Sequence, residues 1–109
     1  MKILLIGNKE TSHDKEAYYT FYDEFFRDAL ATTEVAADIT HTLFDDLHIS
    51  IGDGEFVIVD TRHGKDLADY DAVLIRGKGF RNYFDVVRAI SRYCTLHNVP
   101  IINDYKGFR

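Results

Sequence analysis

Three short apolar runs most constrain what this chain can fold into: Ile3 to Ile6, Ala72 to Ile75 and Val99 to Ile102. Each is too short for a buried helix and carries no alternation. That is the pattern of a strand covered on both faces. Gly7-Asn8 closes the first run, Arg76-Gly77-Lys78-Gly79 follows the second, and Asn103 follows the third. Pro100 is tolerated near the start of the last strand, at a first or edge position.

Helical spacing fills two of the intervals. From Lys15 to about Ala31, Tyr18, Tyr22, Phe25 and Ala29 recur on one stripe, widened by Tyr19, Phe26 and Leu30. Asp14 or Ser12 is placed to cap that helix. A second helix is predicted from an Asn82 cap to about Asn98, with Tyr83, Val87, Ile90, Cys94 and His97 on its apolar face. Val35 to Leu43 reads as a further strand. Leu47, Ile49 and Ile51 alternate with polar residues, Gly52-Asp53-Gly54 suits positive φ, and Glu55 to Asp60 is again β-like. Together these predict a hairpin. Residues 61–70 look polar and poor in core.

The order is β-α-β, a hairpin, then β-α-β. The expected fold is therefore α/β: a three-layer, mainly parallel Rossmann-like sheet with right-handed crossovers and an inserted β-hairpin. The 109 residues are read as one domain, 1–109.

Charge and motifs exclude several function classes. The net charge of −5 leaves no cationic excess with which to displace counterions from nucleic acid. One cysteine, Cys94, allows no internal disulfide and no cysteine-based zinc site, and it fits a reducing cytoplasm. Its place on the apolar helix face predicts a buried, inert thiol. The four apolar residues after Met1-Lys2 are too few for a signal-peptide core or a membrane span. No histidine pair has helical zinc spacing, and neither a dinucleotide nor a P-loop glycine motif occurs. Asp60 ends a strand-like run, as a phosphoacceptor would. The loop after the first strand, however, offers Gly7-Asn8 rather than the acidic pair that such a receiver domain needs for magnesium.

Three groups of residues remain as candidates. Arg76, Lys78 and Arg81, with Asn8 at the same predicted sheet edge, form a candidate anion or substrate site. Glycines there let backbone N–H groups approach an anion, and arginine grips carboxylate or phosphate bidentately. The plainer alternative is a solvated loop whose arginine pairs with an acidic neighbour, and an ordinary turn for Gly7-Asn8. Asn103 is read as structural, tying its side chain to nearby backbone. The third group is aromatic: six of the nine residues from Tyr18 to Phe26 are Phe or Tyr, and 3.6 residues per turn cannot place them all on one face. Tyr18, Tyr19, Tyr22, Phe25 and Phe26 are therefore candidates for an interface with another domain or a second copy, against the alternative of a helix packed on two sides.

The run LADYDAVLIRGKGF, a helix, and then NVPIIND resembles the N-terminal, pre-ATP-grasp domain of ATP-grasp ligases, nearest the ribosomal-protein glutamate ligase and glutathione synthetase branch. There a Tyr/Phe-Asp-apolar strand ends in arginine, here Tyr70-Asp71 and Arg76, and a later strand ends in asparagine, here Asn103. The resemblance implies ATP-dependent carboxylate–amine ligation by the parent enzyme, with ATP and Mg²⁺ bound in two later catalytic domains absent from this chain. For this chain it implies a substrate-side or scaffold domain for a small carboxylate-bearing substrate, with no cofactor of its own, no catalytic residue and no activity alone. The alternative is a standalone Rossmann-like anion-binding or adaptor domain that works through self-association.

Overall fold

The computed structural model describes residues 1–7, 15–31, 37–75 and 84–103. Along them run β1 (Lys2–Gly7), α1 (Lys15–Ala31), β2 (Asp38–Leu43), β3 (Leu47–Gly52), β4 (Glu55–Asp60), β5 (Lys65–Asp66), β6 (Ala72–Ile75), α2 (Phe84–Leu96) and β7 (Ile101–Asn103). Strands β2-β1-β6-β7, in that order, form a parallel sheet. Strands β3-β4-β5 form a separate antiparallel sheet. The fold is α/β.

The hairpin departs from expectation in two ways. It gains a third strand, because Lys65–Asp66 folds back onto Val59 and Asp60, and it stands as a sheet of its own. The stretch read as poor in core also holds two fully enclosed residues, Leu67 at 0% and Tyr70 at 4% exposure. They lie three apart across the 3₁₀ turn Leu67–Asp69. That spacing superposes side chains in a 3₁₀ turn, so a polar sequence still directs one pair inward.

Strand period divides the parallel sheet into two faces. Leu4 and Ile6 pair with Val73 and Ile75, and these four share one core with Ile58 of β4 and Val87, Ile90 and Cys94 of α2. Full burial of each such aliphatic side chain is worth about 1.5–3 kcal/mol. Leu5 and its partner His41 point the other way, toward α1. Cys94 is buried as expected, and burial pushes its thiol up to about 11. His97, expected on the buried face of α2, is exposed.

Local chemistry fixes the turns. Asp53 and Gly54 both take positive φ (51° and 81°) between the paired Gly52 and Glu55, the two-residue turn that Asp-Gly favours. At the end of α2, Asn98 takes φ 58°, Asn98 N–H donates to the Thr95 carbonyl and Val99 N–H to that of Cys94. This left-handed cap satisfies the last carbonyls and turns the chain into β7. His97, just before it, still donates its N–H to the Tyr93 carbonyl and lays its ring against Tyr93 from the exposed side.

Candidate functional site

The polar centre of the molecule is Asp60. It follows Ile58 by two residues on β4, so the strand's alternation sends both to the core, each with 0% exposure. A buried carboxylate is tolerated only where donors surround it. Thr42 Oγ1 and the Arg62 backbone N–H donate to Asp60 Oδ1 at 2.9 and 3.0 Å. Tyr70 Oη donates to Oδ2 at 2.9 Å, and His63 Nδ1 lies 2.5 Å from the same oxygen. Burial, with the nearby Asp60 charge, pushes the Tyr70 phenol up to about 12. An aspartate so enclosed presents no oxygen to solvent.

With Asp60 as the carboxylate, His63 donates from Nδ1 and its ring is held in one orientation. Such pairs can support a general base. Among the described residues no hydrogen bond joins His63 to a hydroxyl or thiol, so no nucleophile is activated by it.

Arg62 joins three elements. Its Nη1 donates to the His41 carbonyl at 2.5 Å, its Nη2 meets Asp23 Oδ2 of α1 at 2.6 Å, and its guanidinium lies 3.6 Å over the Tyr19 ring. Tyr19 performs a similar task one turn earlier on α1. Its hydroxyl accepts from Leu43 N–H at 2.7 Å and donates to Asp46 Oδ2 at 2.5 Å, while Lys15 Nζ meets Asp46 Oδ1 at 2.6 Å. Burial pushes the Asp46 carboxyl upward, but the hydrogen bonds from Lys15 and Tyr19 outweigh it and hold the group below its ordinary range.

His41 sits between α1 and the sheet. Tyr18, Tyr22 and Phe26 ring it at centroid distances of 5.3, 5.3 and 6.2 Å. Its Nδ1 has no hydrogen-bond partner. Burial drives its pKa down to about 4, against a smaller opposing pull from Asp23. Gly7 makes room for the ring, because a Cβ there would stand 2.8 Å from His41 Nε2.

Beside these groups an open groove of about 820 Å³ runs along the outer edge of β2. Asp23, Arg27 and Leu30 of α1 form one wall, His63, Lys65 and Tyr70 the other, and Asp38 to Thr40 the floor. Among the described residues, no three His, Cys, Asp or Glu side chains come together to hold a metal ion. No described helix is long and apolar enough to cross a membrane.

The residues predicted from sequence are distributed unevenly over this frame. Asn8, Arg76, Lys78 and Arg81 lie outside the described residues, as does the side chain of Asn103. The strands preceding the first two end side by side, with Ile6 opposite Ile75. Of the aromatics, Tyr19 is buried within the chain and Tyr18, Tyr22 and Phe26 pack on His41. Phe25 is 56% exposed and, one turn away, Phe21 is 62% exposed. Sequence reasoning missed the Asp60–Arg62–His63 cluster. Its available signal was a strand whose alternation places an aspartate at a core position just before a turn.

No family model matches this chain, and no curated protein or solved structure matches it either.

Proposed function

We propose that this chain is the N-terminal, substrate-side or scaffold domain of an ATP-dependent carboxylate–amine ligase, inactive alone, with a three-layer Rossmann-like, pre-ATP-grasp-like fold. Support comes from the winding of the parallel sheet. β1 and β6 are neighbours, yet the connection leaving β1 leads to β2 on one side and that leaving β6 leads to β7 on the other. Open α/β sheets bind ligands outside the carboxyl ends of the strands at such a reversal. Asn8 directly follows β1, and Arg76 directly follows β6. A carboxylate or phosphate recognised by Arg76, Lys78 and Arg81 is the ligand this arrangement favours. On this reading ATP and Mg²⁺ belong to other domains of the parent enzyme, and the protein works in the cytoplasm.

Amide NMR titration with glutamate and with inorganic phosphate tests the anion site. The Gly7 and Ile75 amides are expected to shift, and Arg76→Ala is expected to abolish the response. Absence of any shift at these amides with tens of millimolar ligand would overturn the site. Magnesium-dependent ADP release by this chain alone would overturn the assignment of catalysis to other domains.

A second reading, a standalone adaptor that self-associates, has the exposed Phe21 and Phe25 in its favour. Sedimentation velocity separates the two. A concentration-dependent dimer that Phe25→Asp dissociates supports the adaptor, and a monomer at all concentrations counts against it.

A further inference from the structure

The outer edge of β2 is partly capped at one end and open at the other. Hydrogen-bond direction alternates along a strand. Asp38 N–H donates inward to the Met1 carbonyl, so Ile39, His41 and Leu43 direct their backbone groups away from β1. Tyr19 takes the Leu43 N–H and Arg62 takes the His41 carbonyl. These caps blunt the edge, as exposed edges generally require. Among the described residues nothing takes the outward N–H and C=O of Ile39, which lie on the groove floor.

The described residues of the groove walls carry charge opposite to that of the whole protein. Asp23 is spent on Arg62. Among the described residues that leaves Lys2, Arg27 and Lys65 against Asp38, an excess of cations in a chain whose net charge is −5. Lys65 is held over the Tyr70 ring, 4.8 Å from its centroid.

We infer that this edge docks an extended, acidic peptide segment as an added strand, with Ile39 supplying the ladder and Arg27 and Lys65 reading acidic side chains. Strand addition draws affinity from main-chain hydrogen bonds and selectivity from alternate side chains. The occupant is a segment of a partner protein. The site lies along the β2 edge rather than at the carboxyl ends of β1 and β6, so it stands or falls separately from the anion site proposed above.

The test titrates the labelled full chain with an acetylated, amidated hexapeptide alternating glutamate and valine. Comparison peptides carry lysine in place of glutamate, or N-methyl groups on alternate amides in either frame. The expected result is a shift at the Ile39 amide that weakens with salt, together with loss of binding in one N-methylated frame. Ile39→Pro removes the outward N–H without touching the ladder to β1 and is expected to weaken binding about tenfold. Arg27→Glu with Lys65→Glu is expected to switch preference to the lysine peptide.

Binding that survives N-methylation in both frames, or that free glutamate displaces as well as the peptide does, would overturn the inference. So would dimerisation of the chain through the Ile39 edge in the absence of peptide. The N-methylated peptides need only the unaltered protein, so the test holds if Ile39→Pro fails to fold.

Discussion

Replacing Asp60 by alanine is the sharpest probe of what holds this structure together. The substitution removes the acceptor shared by Thr42 Oγ1, the Arg62 backbone N–H, Tyr70 Oη and His63 Nδ1. His63 is partly exposed and can turn to water. The other three donors sit around a side chain with 0% exposure. A buried donor left unpaired costs about 1–3 kcal/mol. Taking about 1 kcal/mol for each of three gives about 3 kcal/mol, and the vacated volume adds roughly 1 kcal/mol. That is a large share of the roughly 5–15 kcal/mol that holds a domain folded.

Asp60→Asn preserves shape and one acceptor oxygen. That oxygen keeps the Thr42 hydroxyl and the Arg62 N–H, and the Tyr70 hydroxyl on the other side can rotate to accept from the amide, so a loss of only about 1–2 kcal/mol is expected. Urea denaturation followed by circular dichroism reads both. With a slope of about 2 kcal/mol per molar, the alanine midpoint falls by about 2 M. An Asp60→Ala protein that loses less than about 1 kcal/mol, or an asparagine variant as damaged as the alanine one, would refute the account of Asp60 as an anchor satisfied by its donors.

Two further predictions concern the face under α1. The folded protein holds His41 neutral down to about pH 4, whereas the unfolded chain takes up a proton near 6.5. The stability contributed by a neutral His41 is therefore complete above pH 6.5 and is lost as pH falls toward 4, by about 3 kcal/mol in all; thermal melts across that range should show the loss, and His41→Phe should flatten it. Gly7→Ala should cost about 1–3 kcal/mol, because its Cβ would meet a ring that Tyr18, Tyr22 and Phe26 prevent from moving; in a His41→Ala background the same change should cost much less in a double-mutant cycle.

Local pattern alone determined much of this protein. The apolar runs of β1, β6 and β7, the spacing of α2 and the Asp53-Gly54 turn each depend on a few neighbouring residues. Such signals are readable wherever backbone geometry sets the period, and they were sufficient for the α/β class and the parallel pairing. The aromatic crowding of α1 was also visible, but not its division into a buried Tyr19, a box around His41 and an exposed Phe25. That division depends on what β2 presents.

Tertiary structure alone decided the rest. Asp60, Arg62 and His63 read as ordinary polar residues at a strand end. They become the centre of the molecule because β2, β6's leading turn and α1 bring Thr42, Tyr70 and Asp23 to them from 18, 10 and 39 residues away. The open groove at Ile39 likewise exists only because β2 lies at the end of its sheet, with α1 and the β4–β5 turn on either side. Hydrogen-bond satisfaction and edge position are properties of an assembled sheet, and no window of sequence carries them.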